Sequence, residues 1–434
     1  MKDSVLKSRI EECRQIRDAK RQEALKQIST SLGSETAREL ELLYDGYSER
    51  LYLWLAGLWD AKTGGFYYSC SARDNDGFLP DIETTVQALH FTESSGLFPA
   101  SKGGWVAFLP EKMKGELLRF ATGLQSSKDG FFYHPQWGEK ITLERKGRDI
   151  AWATQLITEL GGKPLYDTPN GVKGSLGAPE IAKQRALSST ENVNMASPEY
   201  LRSISNFKDF LDSLDFSVQP YVGNKLNAIR SQIGASGKSI SDFFINYINE
   251  KQNPQTGLWG EGVSYHTVNG FFKMASAIRQ LGYKVLYLEQ AMKSVMQMLL
   301  TPTLEKGTEI VCTPYNCWVA LSLIMNNIKG CVSEEEAKRI KAYVTDIAPE
   351  LIRITRNKID VFHKPDGGFS FHPDRSLHIN QGSLIAVENI AESDVNASCI
   401  LSSGLTRHIL QIFDVKTLSM FEEEDGKLFL DLLN

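Results

Sequence analysis

Thr63-Gly64-Gly65-Phe66-Tyr67-Tyr68 is the first of four stretches in which a glycine turn is followed by aromatic side chains. We call these stretches the Gly-aromatic loops. Glycine permits the positive backbone angles of a tight turn, and the aromatic side chain can wedge between neighbouring pairs of helices. The other three loops are Lys128-Asp129-Gly130-Phe131-Phe132-Tyr133, Thr256-Gly257-Leu258-Trp259-Gly260 and Pro365-Asp366-Gly367-Gly368-Phe369.

The spacing of the Gly-aromatic loops indicates a repeat. Gly65 and Gly130 are 65 residues apart, Gly130 and Gly257 are 127 apart, and Gly257 and Gly368 are 111 apart. These separations correspond to one, two and two copies of a unit of about 60 residues, and each loop precedes an apolar stretch with helical spacing. The sequence therefore predicts a repeating architecture of helix pairs.

Composition narrows the class of protein and its partners. With 434 residues, 42% of them hydrophobic and 23% charged, the chain is typical of a globular protein with a large core. The net charge is −5, and basic and acidic residues are interspersed without a basic patch that carries aromatic side chains. We therefore expect no nucleic-acid partner. Composition and charge do not predict an oligomeric state.

Cysteine usage and the N-terminal residues predict a cytoplasmic protein. Among the six cysteines only Cys312 and Cys317 lie close together, and neither a CxxC spacing nor a nearby histidine suggests a metal site. We expect free thiols in a reducing compartment, with no metal and no cofactor. No stretch approaches the ~20 apolar residues of a membrane span, and the first residues show no signal peptide, so we expect no membrane partner.

Helical periodicity covers most of the chain. Apolar residues recur at helical intervals over about 1–58, which indicates helix on the outside of the fold. Residues 166–196 lack a period and predict a long irregular excursion. Short extended pieces are expected at 66–68 and 369–371. Five inner helices are predicted to start near Asp81, Arg148, Tyr265, Tyr315 and Asp394, and a sixth is expected between Pro198 and Ile233.

The hairpin period, the Gly-aromatic loops and the polar starts of the inner helices together resemble the (α/α) toroids. This group includes terpenoid cyclases, prenyltransferase β-subunits, glycoside hydrolases and polysaccharide lyases. The resemblance implies an all-α fold, a single (α/α)6 toroid over residues 1–434, with the segment 1–58 packed on its outside. It also implies that the first turns of the inner helices meet at one mouth of the barrel. The polar residues expected there are Asp81, Glu83, Glu261, Tyr265, His266, Asn269, Tyr315, Asn316, Asp394 and Asn396.

The leading prediction is a carbohydrate-active enzyme that hydrolyses glycosidic bonds with two carboxylates drawn from Asp81, Glu83, Glu261 and Asp394. One carboxyl group would protonate the leaving oxygen while the other activates water. The same residues also suit structural roles, because Asp81 and Asp394 are good helix caps and Glu83 in a first turn complements the helix dipole.

A lyase that acts on uronate-containing glycans by β-elimination is the first alternative. Toroidal lyases use a tyrosine or histidine as base and a neutral polar group to hold the uronate carboxylate. The resemblance would assign Tyr265 or His266 as base and Asn269 or Asn316 as the carboxylate clamp. The alternative for His266 is a structural role, as a histidine whose hydrogen bond is satisfied within the fold.

Further assignments complete the predicted site. Arg148 could bind an acidic sugar, and the aromatic side chains of Trp137 and Trp259 are assigned to substrate binding. Residues 81–85 resemble the acid motif of class II terpenoid cyclases, although Glu83 stands where the proton-donating aspartate is expected. A terpenoid cyclase and a sugar-binding toroid without catalysis are the remaining alternatives.

Overall fold

The computed structural model describes residues 3–186, 197–217, 221–302, 310–328 and 330–433. Helices dominate it, which confirms the predicted all-α class. They are α1 (Asp3–Leu32), α2 (Ser34–Tyr44), α3 (Arg50–Ala56), α4 (Cys70–Arg73), α5 (Ile82–Ser94), α6 (Gly104–Phe108), α7 (Glu111–Gly123), α8 (Leu143–Glu159), α9 (Glu180–Ala186), α10 (Ile204–Asp212), α11 (Tyr221–Ala228), α12 (Arg230–Ala235), α13 (Lys238–Asn249), α14 (Tyr265–Gln280), α15 (Leu288–Leu300), α16 (Cys312–Asn327), α17 (Glu334–Asp346), α18 (Ala348–Ile359), α19 (Val395–Cys399), α20 (Leu405–Ile412) and α21 (Glu423–Leu433).

Short elements join these helices. Turns of 3-10 helix occupy Ala100–Lys102, Glu199–Leu201 and Asp360–Phe362, and a π-helical segment, Ile400–Gly404, links α19 to α20. Two antiparallel strand pairs are present in the described residues: β1 (Trp59–Asp60) with β2 (Gly65–Phe66), and β3 (Ile379–Asn380) with β4 (Ser383–Leu384).

All four Gly-aromatic loops adopt the same local structure. In each loop the aromatic residue pairs through the backbone with a residue six or seven positions earlier, and the aromatic side chain is buried. These backbone pairs are Trp59 with Phe66, Gln125 with Phe132, Gln252 with Trp259 and His363 with Phe369.

The glycines of these loops are required by both angle and space. Gly64, Gly130, Gly257 and Gly367 have φ values of 81°, 77°, 71° and 92°. A Cβ at Gly64 would lie 2.6 Å from the carbonyl oxygen of Glu116 in α7, and the other three would also collide with the backbone of another segment. Each loop therefore docks its turn against another part of the helical array, as the repeat predicts.

Six helical segments form a closed ring. Helix α5 packs against α8, α8 against α11, α11 against α14, and α14 against α16. Helix α16 packs against α20, which continues through the π-helical segment to α19, and α19 returns to α5. This ring confirms the toroidal architecture. A regular repeat of six helix pairs stays a prediction.

The remaining helices pack around this ring. Helix α7 lies against α8, α15 lies against both α14 and α16, and α18 joins α15 to α2. Helix α1 packs against α2 and α21. One cluster of buried apolar side chains extends from Ala24 in α1 to Phe429 in α21. The assignment of 1–434 as one domain, with 1–58 outside, stays a prediction. Within the described residues, none of the helices combines the length and apolar character required to cross a lipid bilayer.

Three inner helices begin where the sequence predicts. Asp81 caps α5 by accepting a hydrogen bond from the Thr84 amide at 2.9 Å, and Asp394 caps α19 in the same way. Ser264 caps α14 through a reciprocal capping box with Thr267. The sixth inner helix is α11, inside the predicted range.

Other boundaries differ from the sequence prediction. Helix α8 begins at Leu143 rather than near Arg148, because Thr142 caps it by accepting from the Arg145 amide at 3.1 Å. Helix α16 begins at Cys312, three residues before Tyr315. The excursion predicted over 166–196 contains α9, and its last ten residues, 187–196, lie outside the described residues.

The two extended pieces predicted at 66–68 and 369–371 are found only in part. Phe66 lies in β2, whereas in 369–371 only Phe369 pairs, in an isolated bridge with His363, and the second strand pair lies at 379–384. Gln381 and Gly382 both have positive φ, of 52° and 81°, which is typical of a two-residue hairpin turn. Thr142 donates from Oγ1 to the carbonyl oxygen of Gln381 at 2.8 Å, so the hairpin tip is tied to the start of α8.

Candidate functional site

The ring of inner helices surrounds a cavity of about 710 Å³, within the usual range for small-ligand sites. Every inner segment contributes side chains at helical spacing, and residues 379–381 of the β3–β4 hairpin form part of the wall. The cavity brings together the predicted residues Arg148, Tyr265, His266, Asn269, Tyr315, Asn316 and Asn396.

Helix α14 presents a polar stripe to this cavity. Tyr265, Asn269 and Lys273 are spaced by four residues, so they lie on one face of the helix. Asn269 donates from Nδ2 to the Tyr265 hydroxyl at 3.2 Å, while its own Oδ1 is buried without a hydrogen-bond partner among the described residues. A buried amide oxygen of this kind is available to a ligand.

Tyr265 keeps its proton at neutral pH. Burial raises the pKa of its hydroxyl well above the usual value, and the neighbouring thiol of Cys312 contributes in the same direction. His266 is exposed, and its ring centroid lies 5.4 Å from that of Tyr265. The pair therefore offers a protonated hydroxyl beside an imidazole at the cavity.

Glu83 does not line the cavity, because two arginines hold it behind the wall. Arg148 donates from Nε to Oε2 of Glu83 at 3.0 Å and makes a second bond from Nη2 to Oε1. Arg145 adds a contact from Nη2 at 2.8 Å. Burial would raise the pKa of the Glu83 carboxyl, but the charges of Arg148 and Arg145 outweigh this effect and lower it to about 2.

The cluster around Glu83 supports two side chains of the cavity wall. Gln87 donates to Glu83 at 3.3 Å and to Asn396 at 3.3 Å, so the carboxylate orients Gln87 as well as Arg148. Behind it, Arg145 is also paired with Asp149. Burial raises the pKa of the Asp149 carboxyl to about 7, although Arg145 opposes the change.

The other predicted carboxylates also lie outside the cavity lining. Asp81 is the α5 cap, and Thr84 bonds it through both its amide and its hydroxyl. Asp394 is fully buried and accepts hydrogen bonds from Tyr68 at 2.9 Å and from the Phe371 amide at 2.8 Å. Burial raises the pKa of Asp394 to about 7. Both side chains have the structural surroundings of caps.

Glu261 and the two tryptophans depart from the prediction as well. Because α14 begins at Tyr265, Glu261 lies in the preceding loop, exposed and off the predicted helix face. Trp259 is fully buried and donates from Nε1 to the Ile248 carbonyl at 2.8 Å. Trp137 donates to the Leu384 carbonyl at 2.8 Å, and Arg145 lies 5.4 Å from its ring. None of the three lines the cavity.

Several cavity residues were missed by sequence reasoning. Lys273 lies two turns beyond Tyr265 on α14, and continuing the four-residue spacing would have found it. His90 and Arg407 lie further along α5 and α20 than the first turns to which the prediction was confined. Among the described residues, no three His, Cys, Asp or Glu side chains come together as a set of metal ligands.

Comparisons with known proteins give one distant structural likeness. No model of a protein family matches the chain, and no curated protein matches it. Among solved structures, it is similar to a variant of the type II terpene cyclase MstE from Scytonema in complex with merosterolic acid A, its product. The identity is 14%, the match covers 87% of this chain and 98% of that chain, and the TM-score is 0.38. A likeness of this size carries no argument about fold or activity. The (α/α) toroid architecture rests on the closed ring of helices itself.

Proposed function

We propose that this protein cleaves uronate-containing glycans by β-elimination in the central cavity. One observation carries the proposal: the described residues that line the cavity include Arg148, Lys273 and Arg407 but no aspartate or glutamate. A cavity with this charge favours an acidic ligand. Its amide, hydroxyl and imidazole groups suit the hydroxyls of a sugar.

Each residue has a distinct task in the proposed elimination. His266 removes the proton from the carbon next to the uronate carboxylate, the carbon–oxygen bond at the neighbouring carbon breaks, and a carbon–carbon double bond forms between the two. Tyr265, which is protonated, gives its proton to the leaving oxygen. Asn269 and Asn316 bind the carboxylate and stabilise the charge that develops on it, and Arg148 adds a positive charge to the same wall.

Hydrolysis by a carboxylate pair has less support. That reaction requires two carboxyl groups on either side of the scissile bond, whereas Glu83 is bound by two arginines and Asp81 and Asp394 serve as caps. Hydrolysis stays a prediction, and it would require catalytic carboxylates other than the described residues that line the cavity. Glu83, with a pKa of about 2, is also unsuited to protonate an alkene as in a class II cyclase.

The products of the reaction test the proposal. The purified protein is incubated with a panel of acidic and neutral glycans, and ultraviolet absorbance and reducing ends are measured together. Elimination gives an unsaturated uronide with new absorbance for each new reducing end. Reducing ends without absorbance would indicate hydrolysis, and tight binding without either product would indicate a sugar-binding protein.

A further inference from the structure

We infer that Lys273 forms a second anion subsite in the cavity, one helical turn along α14 from Asn269. This subsite would make the protein specific for ligands with two acidic groups. The inference rests on the proposed function, because it assumes that Asn269 and its neighbours hold the first carboxylate.

Helix geometry sets the distance between the two groups. Asn269 and Lys273 both line the cavity and are four residues apart, so they face the same way. Four residues of α-helix rise by about 6 Å. This separation is comparable to the span of a six-carbon sugar acid that has a carboxylate at each end.

Lys273 has no carboxylate partner among the described residues. Its Nζ lies 5.1 Å from the ring centroid of Phe272, and no described aspartate or glutamate is within ion-pairing distance. Arg148, in contrast, is already paired with Glu83. Lys273 is half-buried, and a cation that is withdrawn from water without a counter-ion is costly, so an anionic group of the ligand would relieve that cost.

The surroundings of Lys273 support this role. Burial lowers the pKa of its amine to about 8, and the charge of Arg148 contributes in the same direction. The other charged or titratable groups that act on the amine are Cys312, Glu83 and Arg230. The pKa of Cys312 is raised to about 11 and that of Glu83 is lowered to about 2, so neither of these two groups titrates near pH 8.

Unpaired amide oxygens in the same cavity indicate which other groups the ligand carries besides its anions. The Oδ1 atoms of Asn224, Asn227 and Asn269 are buried and lack hydrogen-bond partners among the described residues. All three residues line the same cavity, and Asn269 has an exposed fraction of 4%. Amide oxygens accept hydrogen bonds from hydroxyl groups. The ligand class is therefore a polyhydroxylated compound with two carboxylates or equivalent anions.

The test compares three six-carbon compounds of increasing charge. Galactose, galacturonate and galactarate carry none, one and two carboxylates, and none of them has a glycosidic bond to cleave. Calorimetry is used to measure their affinities for the wild-type protein and for Lys273→Met. The control is Lys251→Met, because Lys251 Nζ also contacts aromatic rings, at 4.9 and 4.8 Å, but lies on the surface.

We expect galactarate to bind the wild-type protein roughly tenfold to a hundredfold more tightly than galacturonate, as expected for one charged hydrogen bond. Lys273→Met should abolish that ratio, and Lys251→Met should preserve it. In the wild-type protein the ratio should also fall as pH rises through about 8, because the amine then loses its charge.

Three outcomes would overturn the inference. These are an equal affinity for galactarate and galacturonate in the wild-type protein, an unchanged ratio in Lys273→Met, and no binding of either acid. Because the assay needs no turnover, the subsite and the elimination chemistry can fail separately: the products formed from a glycan decide the elimination, whatever the result here.

Discussion

Substitution of Glu83 by glutamine should destabilise the fold. The size of the loss follows from the ion pairs of Glu83 with Arg145 and Arg148. The variant keeps the side-chain shape but removes the charge that Arg145 and Arg148 contact. The Glu83 pKa falls from 4.5 to about 2, and this shift corresponds to roughly 3 kcal/mol of stability above pH 4.5. Removing one partner of a buried ion pair costs about 3–5 kcal/mol in other proteins. We therefore expect a loss of about 3 kcal/mol at pH 7.

Urea unfolding of the wild-type protein, Glu83→Gln and Glu261→Gln measures this effect. Glu261 is exposed, so its variant should differ from the wild type by no more than ~0.5 kcal/mol. The lowered pKa of Glu83 means that its contribution is complete above pH 4.5 and is lost as pH falls towards 2. The gap between wild type and Glu83→Gln should narrow over that range. Equal stability of the two proteins at pH 7 would refute the reasoning.

Three further changes probe other parts of the structure. The pKa of Asp394 is raised from 3.8 to about 7, so the folded protein holds a proton that the unfolded chain releases between these values. The free energy of unfolding of the wild type should therefore fall relative to that of Asp394→Asn as pH rises from 4 to 7, by up to roughly 4 kcal/mol. A difference independent of pH would contradict this. Gly257→Ala should cost more than ~2 kcal/mol in thermal or urea unfolding, because its Cβ meets the backbone of α15. Gly161→Ala is the control, since Gly161 has nearly the same φ, 73° against 71°, in open space, and it should cost only about 1–2 kcal/mol. Tyr265→Phe should lower kcat by roughly 10²–10⁴-fold on a cleaved glycan, and Tyr315→Phe in the same cavity should have a small effect; equal losses would deny Tyr265 a specific role.

The repeat was visible in the sequence because its signal is local. The angle at Gly257 and the burial of Trp259 depend on a turn and one adjacent side chain, and the same chemistry recurs in every Gly-aromatic loop. Similarly, Tyr265 and Asn269 were found because polar residues mark the start of an inner helix in the sequence, and the structure adds that Ser264 is the cap of this helix.

The carboxylates were misplaced because their partners are distant in the chain. Glu83 pairs with Arg148, 65 residues later, and Asp394 accepts from Tyr68, 326 residues earlier. Local sequence shows a polar first turn in both cases and does not show whether it faces the cavity or the interior. Lys273 was missed for a related reason, since only the ring of helices reveals which face of α14 is enclosed.

The most direct test of the elimination mechanism is a kinetic isotope effect. A uronate glycan is prepared with deuterium on the carbon next to the carboxylate, and its rate of cleavage is compared with that of the ordinary substrate. The proposed role of His266 requires that this carbon–hydrogen bond be broken. The account predicts slower cleavage of the deuterated glycan, with one unsaturated product per bond cleaved. Equal rates together with a saturated product would contradict it.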